Sequence, residues 1–246
     1  MKSRIDATDL DEAVASLRRL GDGVASRALA DALNHTVNQA RQALRTEMSS
    51  VFDRPTPFTL NAVRIFTAKP SNLQSALWVK DEKDGASGGQ APEAWVAPQV
   101  FGGQRKYRRS EQMLRDKGIL PAGMFVVPGA GARLDQYGNI SRGQMIQLLS
   151  GLSAFNVAGF TANASGSRRS ARRGHAAAFF VIKRGKVPIG IAERRGKQVA
   201  IVLAFVRQPT YRPRFDFHGV VRRVAENDAQ LEANIDKAVT KALAGL

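Results

Sequence analysis

The stretch "VASRALADALNHTVNQARQALRTEMSSV", residues 24–51, decides the fold class. Val24, Leu29, Leu33, Val37, Ala40, Leu44, Met48 and Val51 recur at helical spacing and make one apolar stripe. Arg27, Asn34, Asn38, Arg41 and Arg45 lie mostly off that stripe. The spacing predicts a long amphipathic helix that needs a partner layer. "DRPTP" at 53–57 ends it, because proline cannot continue a helix.

The flanks supply that layer. "FTLNAVRIFTA" (58–68) and "LQSALWVK" (73–80) read as extended runs around the turn "KPSN", a β-hairpin. "AAAFFVIKR", "KVPIGIAERR" and "QVAIVLAFVR" read as three short strands in a meander. Before residue 24, "DLDEAVASLRRL" (9–20) predicts a shorter helix, closed by the "GDG" break at 21–23. From about Asp216 to Leu243 apolar residues again recur every three to four positions, which predicts a closing helix.

Between hairpin and meander the pattern is irregular. "DEKDGASGGQ" (81–90) reads as a polar, glycine-rich loop. Gln104 to Lys117 predicts a short basic helix with Gly118 at its C-terminal cap, and one extended piece is expected in 119–139. Ser141 and Gln144 stand at capping-box spacing before the apolar Met145, Leu148, Leu149 and Leu152. The expected fold is α+β. An antiparallel sheet, hairpin plus meander, is packed by the long N-terminal helix and a C-terminal helix. Residues 1–246 read as one domain, with 81–175 as a variable, partly helical insertion between two parts of one sheet.

Composition narrows the function classes. Lys and Arg number 37 against 21 Asp and Glu, a formal net charge of +16, and the pI is near 11.0. Such a balance points to a polyanionic neighbour: DNA, RNA, an anionic membrane or an acidic protein surface. With no cysteine, disulfides, Cys-ligated zinc and a cysteine nucleophile are excluded. "MKSRIDATDLDEAV" has no apolar core and carries acids early, so no secretory signal is expected. No run approaches the roughly 18–20 apolar residues of a membrane span.

Catalytic patterns fail one by one. "FVVPGAGARLD" (125–135) invites a dinucleotide-binding reading, but Leu134 stands where that pattern needs a small residue, and a turn follows instead of a helix. His35, His175 and His218 lie far apart and form no metal-binding spacing; Asp31 and His35 read as a surface pair one helical turn apart. No paired-carboxylate cluster, nucleophile elbow or Walker A sequence occurs. No enzyme, cofactor or metal is therefore expected.

The basic segments remain. "RKYRR" (105–109), "RRSARR" (168–173) and "YRPRF" (211–215) supply the candidate DNA or partner contacts: Arg105, Arg108, Arg109, Arg168, Arg169, Arg172, Arg173, Arg212 and Arg214. The guanidinium fork suits phosphate, and such contacts carry no sequence information. Interleaved aromatics (Tyr107, Tyr211, Phe215, Phe217) also fit protein interface anchors. In "YRPRFDF" the expectation is Tyr211, Phe215 and Phe217 inward, Arg212 and Arg214 toward a partner. "SGSRRSARRGH" (165–175) reads as a flexible basic loop.

Several segments carry a resemblance. "SRALADALNHTVNQARQALRTEMSS", with Leu29, Ala32, Leu33, Asn34 and Thr36 in an A-L-x-x-A-L-N-x-T pattern, is similar to the opening helix of the phage minor tail protein Z family. "FDRPTPFTLNAVRIFTA", "GILPAGMFVVPGAGARLDQYGNISRGQ" and "RQPTYRPRFDFHGVVRRV" resemble further segments of that group. The likeness is strongest at 26–66 and 205–224. It implies a virion protein made in a host cytoplasm, at the head–tail junction or tail end, in a homo-oligomeric ring around the DNA channel. It also implies tail tube, tail terminator or connector proteins as partners, with nonspecific contact to packaged DNA and no membrane. None of the motifs is catalytic, so the resemblance carries over no active-site residue. A free, nonspecific nucleic-acid-binding protein is the alternative.

Overall fold

A computed structural model describes residues 1–6, 22–81, 91–154, 168, 179–195 and 197–244. The chain is α+β, with antiparallel sheets and a long N-terminal helix. The helix expected at 9–20 and most of the 81–90 loop lie outside the described residues.

Contacts group the chain into two compact units. One comprises 1–87, 91–102 and 212–246; the other comprises 88–90 and 103–211. Sequence pattern predicts an insertion at 81–175. The contacts instead carry the second unit on to Tyr211, so the meander goes with it. Pairing explains the difference. The strand Met124–Pro128 of the irregular region bonds to Gln198–Arg207, the last meander strand, and not to the hairpin.

The first unit is built on α1 (Asp22–Val51), the helix that opened the sequence reading. Leu33, Val37, Ala40, Leu44 and Met48 are buried along one side. They face β2 (Val63–Phe66) and β3 (Gln74–Val79), the expected hairpin, through Val63, Leu77 and Val79. The same core takes Phe215 and Phe217. A short helix, α2 (Pro57–Leu60), capped by Thr56, occupies the start of the run read as extended. β1 (Lys2–Asp6) adds a third strand beside β3, giving the order β1-β3-β2. Only one of its five residues is apolar, so alternation could not reveal it. α3 (Glu93–Phe101) was also hidden, since Pro98 inside it suppresses a helical reading.

The C-terminal segment forms two helices where one was expected: α6 (Phe217–Ala225) and α7 (Asp228–Leu243) (α4 and α5 belong to the second unit). Asn227 causes the break, because its side chain accepts from the Gln230 N–H and starts a new helix. Ala25, Ala28 and Ala32 line the N-terminal part of α1 with Leu29, and these small residues pack against Ile235 and Ala238 of α7.

The motif residues of α1 have structural duties. Asn34 Nδ2 donates to the Ala68 carbonyl at 3.1 Å, and the Ala68 N–H donates back to Oδ1 at 2.8 Å. One amide thus clamps the end of the hairpin strand to the helix. Buried Thr36 accepts from Asn234 of α7, whose amide also pairs with Gln39. Asn34→Ala would leave both backbone groups of the buried Ala68 without these partners, and about 1–3 kcal/mol of stability should be lost. Asn34→Asp should lose less, keeping the acceptor. Urea titration of the two variants checks this order.

The second unit holds β4 (Gly103–Gln104) and α4 (Arg109–Asp116), then β5 (Met124–Pro128) and α5 (Arg142–Gly151). The meander β6 (Phe179–Arg184), β7 (Val187–Arg195) and β8 (Gln198–Arg207) follows, and then β9 (Thr210–Tyr211). The four-stranded sheet runs β5-β8-β7-β6, all antiparallel, and β4 pairs with β9. Hairpin and meander therefore belong to separate sheets, not to two parts of one. Leu114 and Leu148 from the helices pack on Val126, Ile191, Leu203 and Phe205 of the sheet. Gly118 follows α4 with φ +67°, as its cap position requires.

Candidate nucleic-acid interface

Charge is distributed unequally. The segment 103–211 contains 19 Lys and Arg against four acids, whereas the remainder contains 18 against 17. Nearly all of the chain's net +16 therefore resides in the second unit. Its four acids are also occupied. Asp135 accepts the N–H groups of Tyr137 and Asn139 in a turn, and Asp116 accepts from Gln112. Glu111 and Glu193 each face arginine.

The strand order sets out the exposed cations. The β6–β7 turn carries Lys183, Arg184 and Lys186, all exposed, with Gly185 at φ +62° shaping the tip. Exposed Arg207 ends β8 at the same end of the sheet, opposite Met124. The β7–β8 turn, at the opposite end, carries Arg194, Arg195 and Lys197. Arg133 joins that end, with Nη2 at 2.9 Å from Gln147 and 4.0 Å from Glu193. Arg195 binds Glu193 at 2.7 Å, and Arg194 lies over the Phe180 ring at 5.4 Å. Burial pushes the Glu193 carboxyl up, but Arg195, Gln144 and Arg133 outweigh it and hold the pKa below the usual carboxylate value. Both ends of the sheet thus present exposed cations carried by paired strands, a surface suited to phosphate oxygens.

The arginines singled out in the sequence divide between surface and interior. Arg105 is buried. Its Nη1 and Nη2 donate to Glu111 Oε2 and Oε1 at 2.7 and 2.6 Å, so it cannot serve as a ligand contact. Arg108 and Arg109 are exposed at the start of α4. "RKYRR" is locally extended, with alternation sending Arg105 and Tyr107 inward and Lys106 and Arg108 outward. Tyr107 stacks on Phe125 at 4.3 Å, Arg105 covers the Phe125 ring and Arg115 covers Tyr107. Arg168 is exposed, and Arg169, Arg172 and Arg173 lie outside the described residues.

Arg212 and Arg214 are both exposed, and Arg214 is also engaged within the first unit. Its Nε donates to Gln99 Oε1 at 2.6 Å, its backbone N–H to the Gln99 carbonyl at 2.8 Å, and its guanidinium lies over Phe52. Phe215 and Phe217 point inward as expected, and Tyr211 is half-buried.

The roles of Glu111 and Gln144 are not visible in residue type or periodicity. Glu111 lies three residues past Arg108, the residue that caps α4, and takes the Arg108 N–H at 2.7 Å, a capping spacing that could have marked it. Ser141 does cap α5, but the Gln144 side chain does not return to it. That side chain instead accepts from the Arg133 N–H and donates to the Gly131 carbonyl and Glu193.

Other readings receive simple structural answers. Gly129 and Gly131 donate N–H groups to the Val202 and Ile201 carbonyls. A Cβ at Gly129 would strike the Ile201 carbonyl, so these glycines allow close approach to β8. Asp31 pairs with Lys241 of α7 at 2.8 Å, replacing the expected pairing with His35. Among the described residues no group of His, Asp and Glu could hold a metal ion, and no helix is long and apolar enough to cross a membrane. The chain matches no family model, no curated protein and no solved structure.

Proposed function

We propose that this protein is a non-catalytic structural component of a phage virion, of the tail-completion or neck type. Copies assemble into a ring around the DNA channel, in contact with tail tube, tail terminator or connector proteins. The observation that carries the reading is the segregation of charge: one unit holds nearly the whole net +16, while the other is close to neutral. A near-neutral body suits packing against protein neighbours, and a basic unit suits DNA phosphates. The residues of α1 that resemble the tail-completion family lie in the near-neutral unit, where Asn34 and Thr36 hold helix, hairpin and α7 together.

The same charge distribution favours a second reading, a free nucleic-acid-binding protein without sequence preference. Mass photometry combined with a salt series of duplex DNA binding separates the two. The first reading expects rings, alone or with a tail protein, and weak DNA affinity near physiological salt. A strict monomer with tight, salt-steep binding and no tail partner would support the second and remove the first.

A further inference from the structure

The β6–β7 hairpin runs beyond its pairing with β8. β7 pairs with β6 as far as Val187, opposite Arg184, but its pairing with β8 begins only at Gly190. Residues 183–189 therefore form a two-stranded ribbon that leaves β8. Sequence accounts for the departure. Pro188 has no N–H to give a further strand. The register with β6 shifts between Ile182 and Lys183, which leaves Ile189 without a cross-strand partner, and such an irregularity bends and twists a ribbon. The turn beyond Arg184 and Val187 is Gly185–Lys186, with Gly185 at φ +62°, so the tip is narrow. Two kinds of side chain share that tip. Lys183, Arg184 and Lys186 are exposed and make no ion pair among the described residues. Exposure also climbs along the alternate apolar positions of β7: Ile191 is fully buried, Ile189 is 36% exposed and Val187 60%. An apolar row thus runs out of the core onto a cationic tip.

We propose that this tip enters the minor groove of duplex DNA and bends it. Val187 and Ile189 wedge against a base step, while Lys183, Arg184 and Lys186 hold phosphates on the groove walls. The proposal rests on the nucleic-acid reading of the basic unit and adds to it a groove, a wedge and a deformation. Cations with aliphatic groups beside them match a groove whose walls are anionic and whose floor is made of base edges. Contact with phosphates alone would take the cations and leave Val187 and Ile189 in water. Residues 183–189 include no Asn, Gln, Asp or Glu, so the tip lacks most of the side chains that read the major-groove code. Small aliphatic wedges beside Lys and Arg are what minor-groove bending uses. The tip has no aromatic residue either, and aromatics are what anchor a protein in a lipid interface. Opening a base step costs energy that depends on the step, so such a tip prefers flexible pyrimidine–purine steps without reading bases.

The test uses the full chain and a duplex of about 20 base pairs with a donor dye at one end and an acceptor at the other. At about 0.1 M salt, saturation with the wild type should raise energy transfer, because a kink in the usual range of about 20–90° brings the ends together. Val187→Ser with Ile189→Ser should bind about tenfold more weakly, keep the wild-type salt slope and leave energy transfer at the value of free DNA. The wild type should bind a duplex with a central TA step several-fold more tightly than a stiff A-tract, and the serine pair should lose that preference. Its thermal midpoint should match the wild type, since both side chains are exposed. Bound but unbent DNA, or bending that survives in the serine pair, would overturn the proposal and leave the charge-based interface intact. Absence of duplex binding even at low salt would overturn that interface and the proposal with it. Loss of binding to phosphatidylserine-rich vesicles in the serine pair, with DNA bending unchanged, would mark a lipid-inserting tip and also overturn it.

Discussion

Glu111→Gln should destabilise the second unit by about 3 kcal/mol, the low end of what breaking a buried ion pair costs. The carboxylate is fully buried and receives four donors: two from Arg105, one from the Arg108 N–H and one from the Val126 N–H at 3.0 Å. A single residue therefore ties the segment before α4, the first turn of α4 and strand β5 together. The amide keeps the shape but removes the charge opposite buried Arg105, and its NH2 end faces donors. Arg105→Gln should cost less, because Glu111 retains both backbone donors and the start of α4 stays closed. Arg105→Lys should fall between the wild type and Arg105→Gln, since an ammonium cannot span both carboxylate oxygens. Guanidinium titration of the three variants gives the order, and equal losses in all would refute the central role given to Glu111.

The pair also has a pH signature. Burial alone would push the Glu111 carboxyl up; Arg105, Val126 and Arg108 outweigh it and hold the pKa below its ordinary value. A carboxyl depressed in the folded state adds its stability fully above the unfolded pKa of about 4.3. That stability is lost as pH falls through the folded value. The gap between wild type and Glu111→Gln should therefore be widest at neutral pH and close as the solution is acidified below about pH 4. A gap that widened in acid would contradict this account.

The same residues show what sequence can reveal and what it cannot. The stripe of α1 and the meander strands were legible because their periods, near 3.6 and 2, repeat over enough residues to stand out. β1 was not legible, since its stability comes from hydrogen bonds to β3 and not from its own alternation. Sheet membership was equally hidden. Nothing in "MFVVP" says that it pairs with "QVAIVLAFVR" and so divides the chain into two units. Among the candidate contacts, composition marked every arginine alike. Arg105 and Arg214 differ from Arg108 and Arg212 only in their tertiary partners, Glu111 and Gln99, which lie six and 115 residues away in sequence. Charge segregation could have been counted in advance, but only once the boundary at 103 and 211 was known.

That segregation leads to the second large effect. Net charge alone would treat all exposed lysines and arginines as equivalent in DNA binding, and the proposed interface does not. Replacing Lys183, Arg184, Lys186 and Lys197 with serine removes four exposed cations from the sheet ends. Replacing Arg27, Lys69, Arg222 and Lys237 removes four exposed cations from the near-neutral unit, so both variants have the same net charge. Each phosphate contact contributes about 0.9 to the slope of log affinity against log salt. If all four sheet-end cations touch phosphate, that slope should fall by about 3.6, and the affinity drop between about 50 and 200 mM salt should shrink by about two orders of magnitude. The first-unit variant should keep the wild-type slope. Fluorescence anisotropy with a labelled duplex measures both. Equal slope changes would mean that DNA responds to the protein's overall charge, and the sheet ends would lose their standing as the interface. Because the substituted side chains are exposed, the thermal unfolding midpoints of both variants should stay close to the wild type. Any loss of binding then reads as lost contact and not as lost fold.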